Sequence, residues 1–228
     1  VLFRSACALL AVVPGAAGAA DEPPGKSGIA HFLEHLMFKA TRSMAAGEFS
    51  RTVARNGGRD NAYTDFDSTG YHQTISSDRL ELIMRMEADR MVNLRISERE
   101  LVPERQVVAE ERRMRIENVP SAQLDEAVRE QLYGRGKPYG MPPSGYPADV
   151  KKLGVTELTA FYRRHYTPNN AVLLTSYELR RLVAELLEAY APTPEKSAPA
   201  MPAPAPAAPV ANSEPPEVVT VPASAPAP

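Results

Sequence analysis

GIAHFLEHLMFKAT, residues 28–41, places His31, Glu34 and His35 at i, i+3 and i+4 in a run whose other members are mostly apolar. At helical periodicity all three share one face. Two neutral imidazoles one turn apart can supply two nitrogen ligands to a tetrahedral zinc ion, and a carboxylate beside them can take a proton from the water such an ion holds. The arrangement is H-x-x-E-H, the reverse of H-E-x-x-H. The plainer reading is a helix with one packed and one solvated histidine, but the chain has only 4 His, and two of them flank one Glu within a single turn.

Catalytic zinc sites use three protein ligands and keep a fourth place for water, so a third ligand must come from elsewhere. The stretch VPERQVVAEERRMRIEN, residues 102–118, is a charged helix with Glu104 and Glu111 on one face and Val107, Val108 and Met114 as apolar anchors. Its alternative is a solvated helix laced with Glu–Arg pairs.

Composition narrows the field. The 228 residues carry 26 Lys and Arg against 28 Asp and Glu, a formal charge of −2, so no net basic field exists to hold nucleic acid or an acidic membrane. A single cysteine, Cys7, excludes an intrachain disulfide and a Cys-rich zinc site. Twelve of the 22 prolines fall in residues 192–228, a Pro/Ala-rich segment expected to be an unfolded linker or tail. Residues 1–20 have the order of a secretory signal peptide, with a truncated N-terminal strand as the alternative. The first reading implies export to the periplasm or medium, the second a cytoplasmic protein. No stretch approaches the ~20 apolar residues of a membrane span. The folding unit is therefore residues 21–191.

Within it, helices are expected at 28–39 and 47–56, then an antiparallel strand pair at 60–64 and 69–76. Asp78 and Glu81 read as a capping box for a helix whose apolar face holds Leu80, Ile83, Met84, Met91 and Leu94. Ser97 and Glu100 repeat that signal, and Pro103 suits the first turn of the next helix. Further helices are expected at 121–132, 156–165 and 179–190, with a short strand at 171–175. Helices interleaved with local hairpins give an α+β fold, an antiparallel sheet with packed helices. GKSG at residues 25–28 lacks the upstream glycine of a phosphate loop.

Four separated stretches, DEPPGKSGIAHFLEHLMFKAT, NAYTDFDSTGYH, PERQVVAEE and FYRRHYTPNNAVLL, resemble the N-terminal half of the pitrilysin and insulinase metallopeptidases, the inverzincins that include mitochondrial processing peptidase. The resemblance runs in order from Asp21 to Leu174. It implies the two-layer fold of one such half and a single zinc ion on His31, His35 and the Glu 76 positions beyond the second His, which is Glu111. It makes Glu34 the general base, sets Glu104 as a carboxylate behind the ligands, and gives Asn61 a place in holding the substrate backbone. It also implies a sheet edge to which an extended peptide adds as a strand. The function that follows is zinc-dependent hydrolysis of peptide bonds in unstructured peptides, by this chain or by an enzyme of which it is the zinc-bearing half. The rival is a catalytically silent homologous subunit for peptide binding or assembly.

The chain departs from that family's pattern in three places. The region of the opening strands is occupied by the leader-like sequence, so the sheet is expected to lack them. PNNAVLL runs directly into TSYELRRLVAELLEAY without a Gly-Asp turn. No second half is present, so a homologous half or partner subunit is expected to complete the enzyme.

Overall fold

Seven of the eight residues of helix α1 (Ile29–Leu36) are buried, as expected for a helix apolar on nearly all sides. The remaining architecture is packed around it. The computed structural model describes residues 6–13 and 17–175, with side chains from residue 17 onward. All of these belong to the first of two compact units, Val1–Glu188. The expected helix at 179–190 and the Pro/Ala-rich segment from 192 lie outside the described residues.

Strands β1 (Ala6–Val13), β2 (Arg59–Thr64), β3 (Thr69–Ser76) and β4 (Val172–Thr175) form an antiparallel sheet in the order β2-β3-β1-β4. β2 and β3 are the expected hairpin. β1 corrects the expectation that the sheet lacks its opening strand. Residues 6–13 pair with β3 on one side and β4 on the other.

The helices α2 (Glu48–Arg55), α3 (Leu80–Asn93), α4 (Glu98–Arg112), α5 (Pro120–Tyr133), α6 (Pro147–Val150) and α7 (Val155–His165) complete the fold, which is α+β as expected. α1 lies against β2, β3, α4 and α7. Phe32, Leu33, Leu36, Leu101, Leu158 and Phe161 make up much of this core. A second apolar group, Phe49, Val53, Ile75, Ile83 and Met86, lies under α2 and α3. Between the two groups sits Arg90, fully buried, with its guanidinium 4.2 Å from the Phe49 ring centre, 4.4 Å from Tyr71 and 5.3 Å from Phe38. Glu87 binds it through both carboxylate oxygens, at 2.5 and 2.6 Å. A planar cation can stack on rings while its edge meets a carboxylate, so the charge is accommodated rather than exposed.

Several local expectations are corrected. α3 begins at Leu80 after a 3-10 turn, with Arg79 rather than Asp78 at its cap position. Its buried side is Ile83, Met86, Glu87 and Arg90, where Arg90 stacks on Phe38, Phe49 and Tyr71, while Met84 is exposed. α4 is capped by Ser97, so Pro103 is its sixth residue and lies beyond the first turn. Its ring removes one helical hydrogen bond, which a 15-residue helix tolerates. Val107 and Met114 are exposed, and Val108 alone of the three expected anchors is buried. α4 then passes into a π-helical turn, Arg113–Glu117.

The N-terminus of α1 is held by a carboxylate six residues upstream of Gly28. Buried Glu22 accepts hydrogen bonds from the backbone N–H groups of Gly28 (2.8 Å) and Ala30 (3.0 Å). Gly28 has φ 84°, and a Cβ there would lie 2.8 Å from Gly145 Cα, so only glycine permits this approach. Ser27 pins the same corner, donating through Oγ to Asp149 at 2.7 Å and accepting from Tyr146 N–H at 2.9 Å. The GKSG stretch is thus a structural joint. Glu22→Ala should leave two buried N–H groups unpaired, costing about 1–3 kcal/mol each. Denaturant unfolding checks this, and unchanged stability would show that the cap is dispensable.

Candidate metal centre

α1 and α4 cross so that side chains from both meet at one point. The two imidazoles stand edge to face with ring centres 4.7 Å apart, and their Nε2 atoms are separated by 3.3 Å. Glu111 Oε2 lies 3.0 Å from His35 Nε2 and 3.6 Å from His31 Nε2. Two ligands at tetrahedral zinc distances stand roughly 3.3 Å apart, from bond lengths of about 2.0–2.1 Å. The three donor atoms therefore match the edges of such a site, and these three residues lie close enough to bind a metal ion. Nitrogen and carboxylate donors suit zinc.

Other polar groups hold the donors in place. His35 Nδ1 is 2.9 Å from Glu104 Oε1, whose other oxygen takes Lys39 Nζ at 2.5 Å. A carboxylate behind an imidazole fixes its tautomer and leaves Nε2 facing forward. Glu111 Oε1 pairs with Arg115 at 3.0 Å, leaving Oε2 toward the histidines. His31 Nδ1 is buried without a hydrogen-bond partner.

The electrostatics follow from these contacts. Burial, then the neighbouring His35 charge, lowers His31 to about 4. Burial also opposes a charge on His35, but the bonds to Glu104 and Glu111 overcome it and carry His35 up to about 9. The bond from His35 pulls Glu111 down to about 2. Without a metal, one proton on His35 thus balances Glu111, while His31 keeps its lone pair.

Glu34, on the same face of α1, is buried, and its carboxyl is pushed above the usual range by desolvation, against the pull of Thr64. Thr64 Oγ1 donates to Glu34 Oε2 at 2.6 Å. The NAYT motif by itself assigns Thr64 no role. Strand parity was the available signal, since Ala62 and Thr64 share the half-buried side of β2 while Asn61 lies on the exposed side.

These residues line a cleft of about 730 Å³. Asn61, Ala62, Tyr63 and Thr64 of β2 all border it. β2 is the outer strand, unpaired on one side among the described residues. Asn61 Oδ1 accepts from Ala62 N–H at 2.9 Å. Arg112 joins the far wall, binding Glu126 at 2.8 and 3.0 Å and Ser144 at 3.0 Å. His165 packs on Phe161 and His72 is half-buried in β3; neither borders the cleft.

Residues 5–142 match the family described as Insulinase (Peptidase family M16). The chain belongs to that family. It is 41% identical over 157 residues to zinc protease PqqE of Helicobacter pylori, covering 69% of this chain and 35% of that protein. The crystal structure of a protease from Helicobacter pylori matches 80% of this chain and 44% of its own, with TM-score 0.70 and 36% identity. The first half of the periplasmic protease PqqL of Escherichia coli matches 79% of this chain and 40% of its own, with TM-score 0.67 and 25% identity. The chain spans about a third of the length of the curated relatives it matches. PqqL has a first half solved as a separate structure, and this chain matches part of that half. Among the described residues no helix is long and apolar enough to cross a membrane.

Zinc added to metal-free protein should raise the melting temperature, by an amount equivalent to about 2.7 kcal/mol at 100 times the dissociation constant. Uptake should release protons, because His35 must give up its own. His31→Ala should abolish both effects in calorimetry.

Proposed function

We propose that this chain is the zinc-bearing half of a metalloendopeptidase acting on unstructured peptides, with one zinc ion on His31, His35 and Glu111. The observation that carries the reading is the meeting of three ligand atoms beside a buried carboxylate in a cleft bordered by an open strand edge. A zinc ion there supplies a Lewis acid for the peptide carbonyl and acidifies a water molecule.

The chain's own residues account for the rest of the chemistry. An extended peptide added along β2 takes main-chain hydrogen bonds, with Asn61 holding its backbone, and this recognition is loose in side-chain identity. Glu34 accepts the proton of the attacking water and returns it to the leaving amine. Its raised affinity for protons suits both halves of that transfer, and the Thr64 bond leaves Oε1 free for it. Glu104 orients His35 from behind, with Lys39 holding the carboxylate.

A homologous second half, in a longer chain or a partner subunit, is proposed to close over the peptide. The greater length of the relatives and the match to one half of PqqL support this. PqqL is periplasmic, and a similar location is proposed for this chain.

The test is cleavage of a fluorogenic unstructured peptide before and after chelation, with zinc restored and a homologous second half supplied. Glu34→Gln should keep zinc and lose at least ~10²-fold in turnover. Retained turnover would remove Glu34 from the chemistry, and peptide binding without zinc-dependent cleavage in the wild type would favour a silent subunit. Glu104→Ala should weaken zinc binding by about 10–100-fold, read by chelator competition; unchanged affinity would make Glu104 a bystander.

A further inference from the structure

A second concavity, of about 810 Å³, lies apart from the metal cleft and is bordered by Arg42, Arg95, Arg99 and Arg163. The four arginines come from three places: the loop after α1, the segment joining α3 to α4 with the first turn of α4, and α7. Elsewhere some arginines are paired with carboxylates, while others, such as Arg55, Arg59 and Arg164, are exposed without such a pair among the described residues. Arg85, Arg90, Arg112, Arg113, Arg115 and Arg129 each bind a carboxylate. None of the four around this pocket has an ion pair or side-chain hydrogen bond among the described residues. The one carboxylate on its wall, Glu100, is engaged by Ser97 Oγ.

The floor is braced independently of any ligand. Thr41 and Leu94 form an antiparallel bridge, with Arg42 N–H donating to Asn93 O at 3.1 Å and Arg95 N–H to Ala40 O at 2.9 Å. Buried Tyr162 accepts from Leu94 N–H at 3.3 Å and donates to Arg90 O at 2.9 Å, tying the bridge to the core. The backbone that carries Arg42 and Arg95 is thus held at both strands.

We propose that this pocket binds a compact phosphate-bearing polyanion. Guanidinium groups present forked donors that match phosphate oxygens, and four of them around one hollow favour several negative charges over one. The volume falls in the range of small-molecule sites, about 300–1,000 Å³, and exceeds what a single phosphate needs.

The probe is inorganic triphosphate, titrated calorimetrically into metal-free protein at about 150 mM salt, where long-range attraction is screened within about 8 Å. Working without metal keeps the anion from the histidine site. Saturable one-to-one binding is expected, weakened at least about tenfold in both Arg95→Ala and Arg163→Ala, in line with the loss of a charge-assisted bond. Arg55→Ala, an exposed arginine on α2 outside the pocket, should bind like the wild type. Each variant is checked by circular dichroism, and Arg95→Lys should recover part of the affinity. No saturable binding, or equal weakening in Arg55→Ala, would overturn the proposal.

Discussion

Burying a helix that carries ionisable groups is the constraint around which this molecule is arranged. α1 is enclosed by sheet and helices, yet it holds His31, Glu34 and His35. A buried charge is costly unless it is paired and hydrogen-bonded. Each of the three therefore requires something from another element. α4 brings Glu111 and Glu104 to the histidines, β2 brings Thr64 to Glu34, and Glu22 satisfies the backbone at the helix start. The crossing of α1 and α4 thus follows from polar requirements as much as from the apolar contacts of Leu33, Leu101 and Val108.

The same logic separates the ligand-holding layer from its supports. Glu104 and Arg115 meet the ligands on the sides turned away from the meeting point, and Lys39 meets Glu104 in turn. Orientation passes outward through charged contacts toward the surface, where solvent screens them. This holds the three donor atoms within reach of one another.

Much of this was legible in the residues. The i, i+3, i+4 spacing placed His31, Glu34 and His35 on one face, and the helix periods and the β2–β3 hairpin followed from alternation and breaks at Gly57 and Gly58. The pairing of Glu111 rather than Glu110 with the histidines rested on family spacing, and the structure brings Glu111 to them while Glu110 pairs with Arg113 on the surface. What could not be read depends on contacts distant in sequence. Thr64 lies 30 positions from Glu34, and nothing local distinguishes it from any strand threonine. The burial of Arg90 against three rings, with Met84 left exposed, is encoded by no periodicity. β1 was ambiguous because a short apolar run with small residues suits both a leader and a strand paired between two others.

That strand has a bearing on how the chain comes to be folded. Val12 in β1 pairs with Gly70 of β3 on one side and with Val172 of β4 on the other. The first strand described is therefore an inner one, and one of its flanks is the last strand described. Such closure joins residues far apart in sequence, which slows folding. Until β4 has left the ribosome, the growing sheet keeps an unpaired row of main-chain groups that another chain could occupy. The helix that carries His31 and His35 can thus be made and partly packed well before the sheet is sealed.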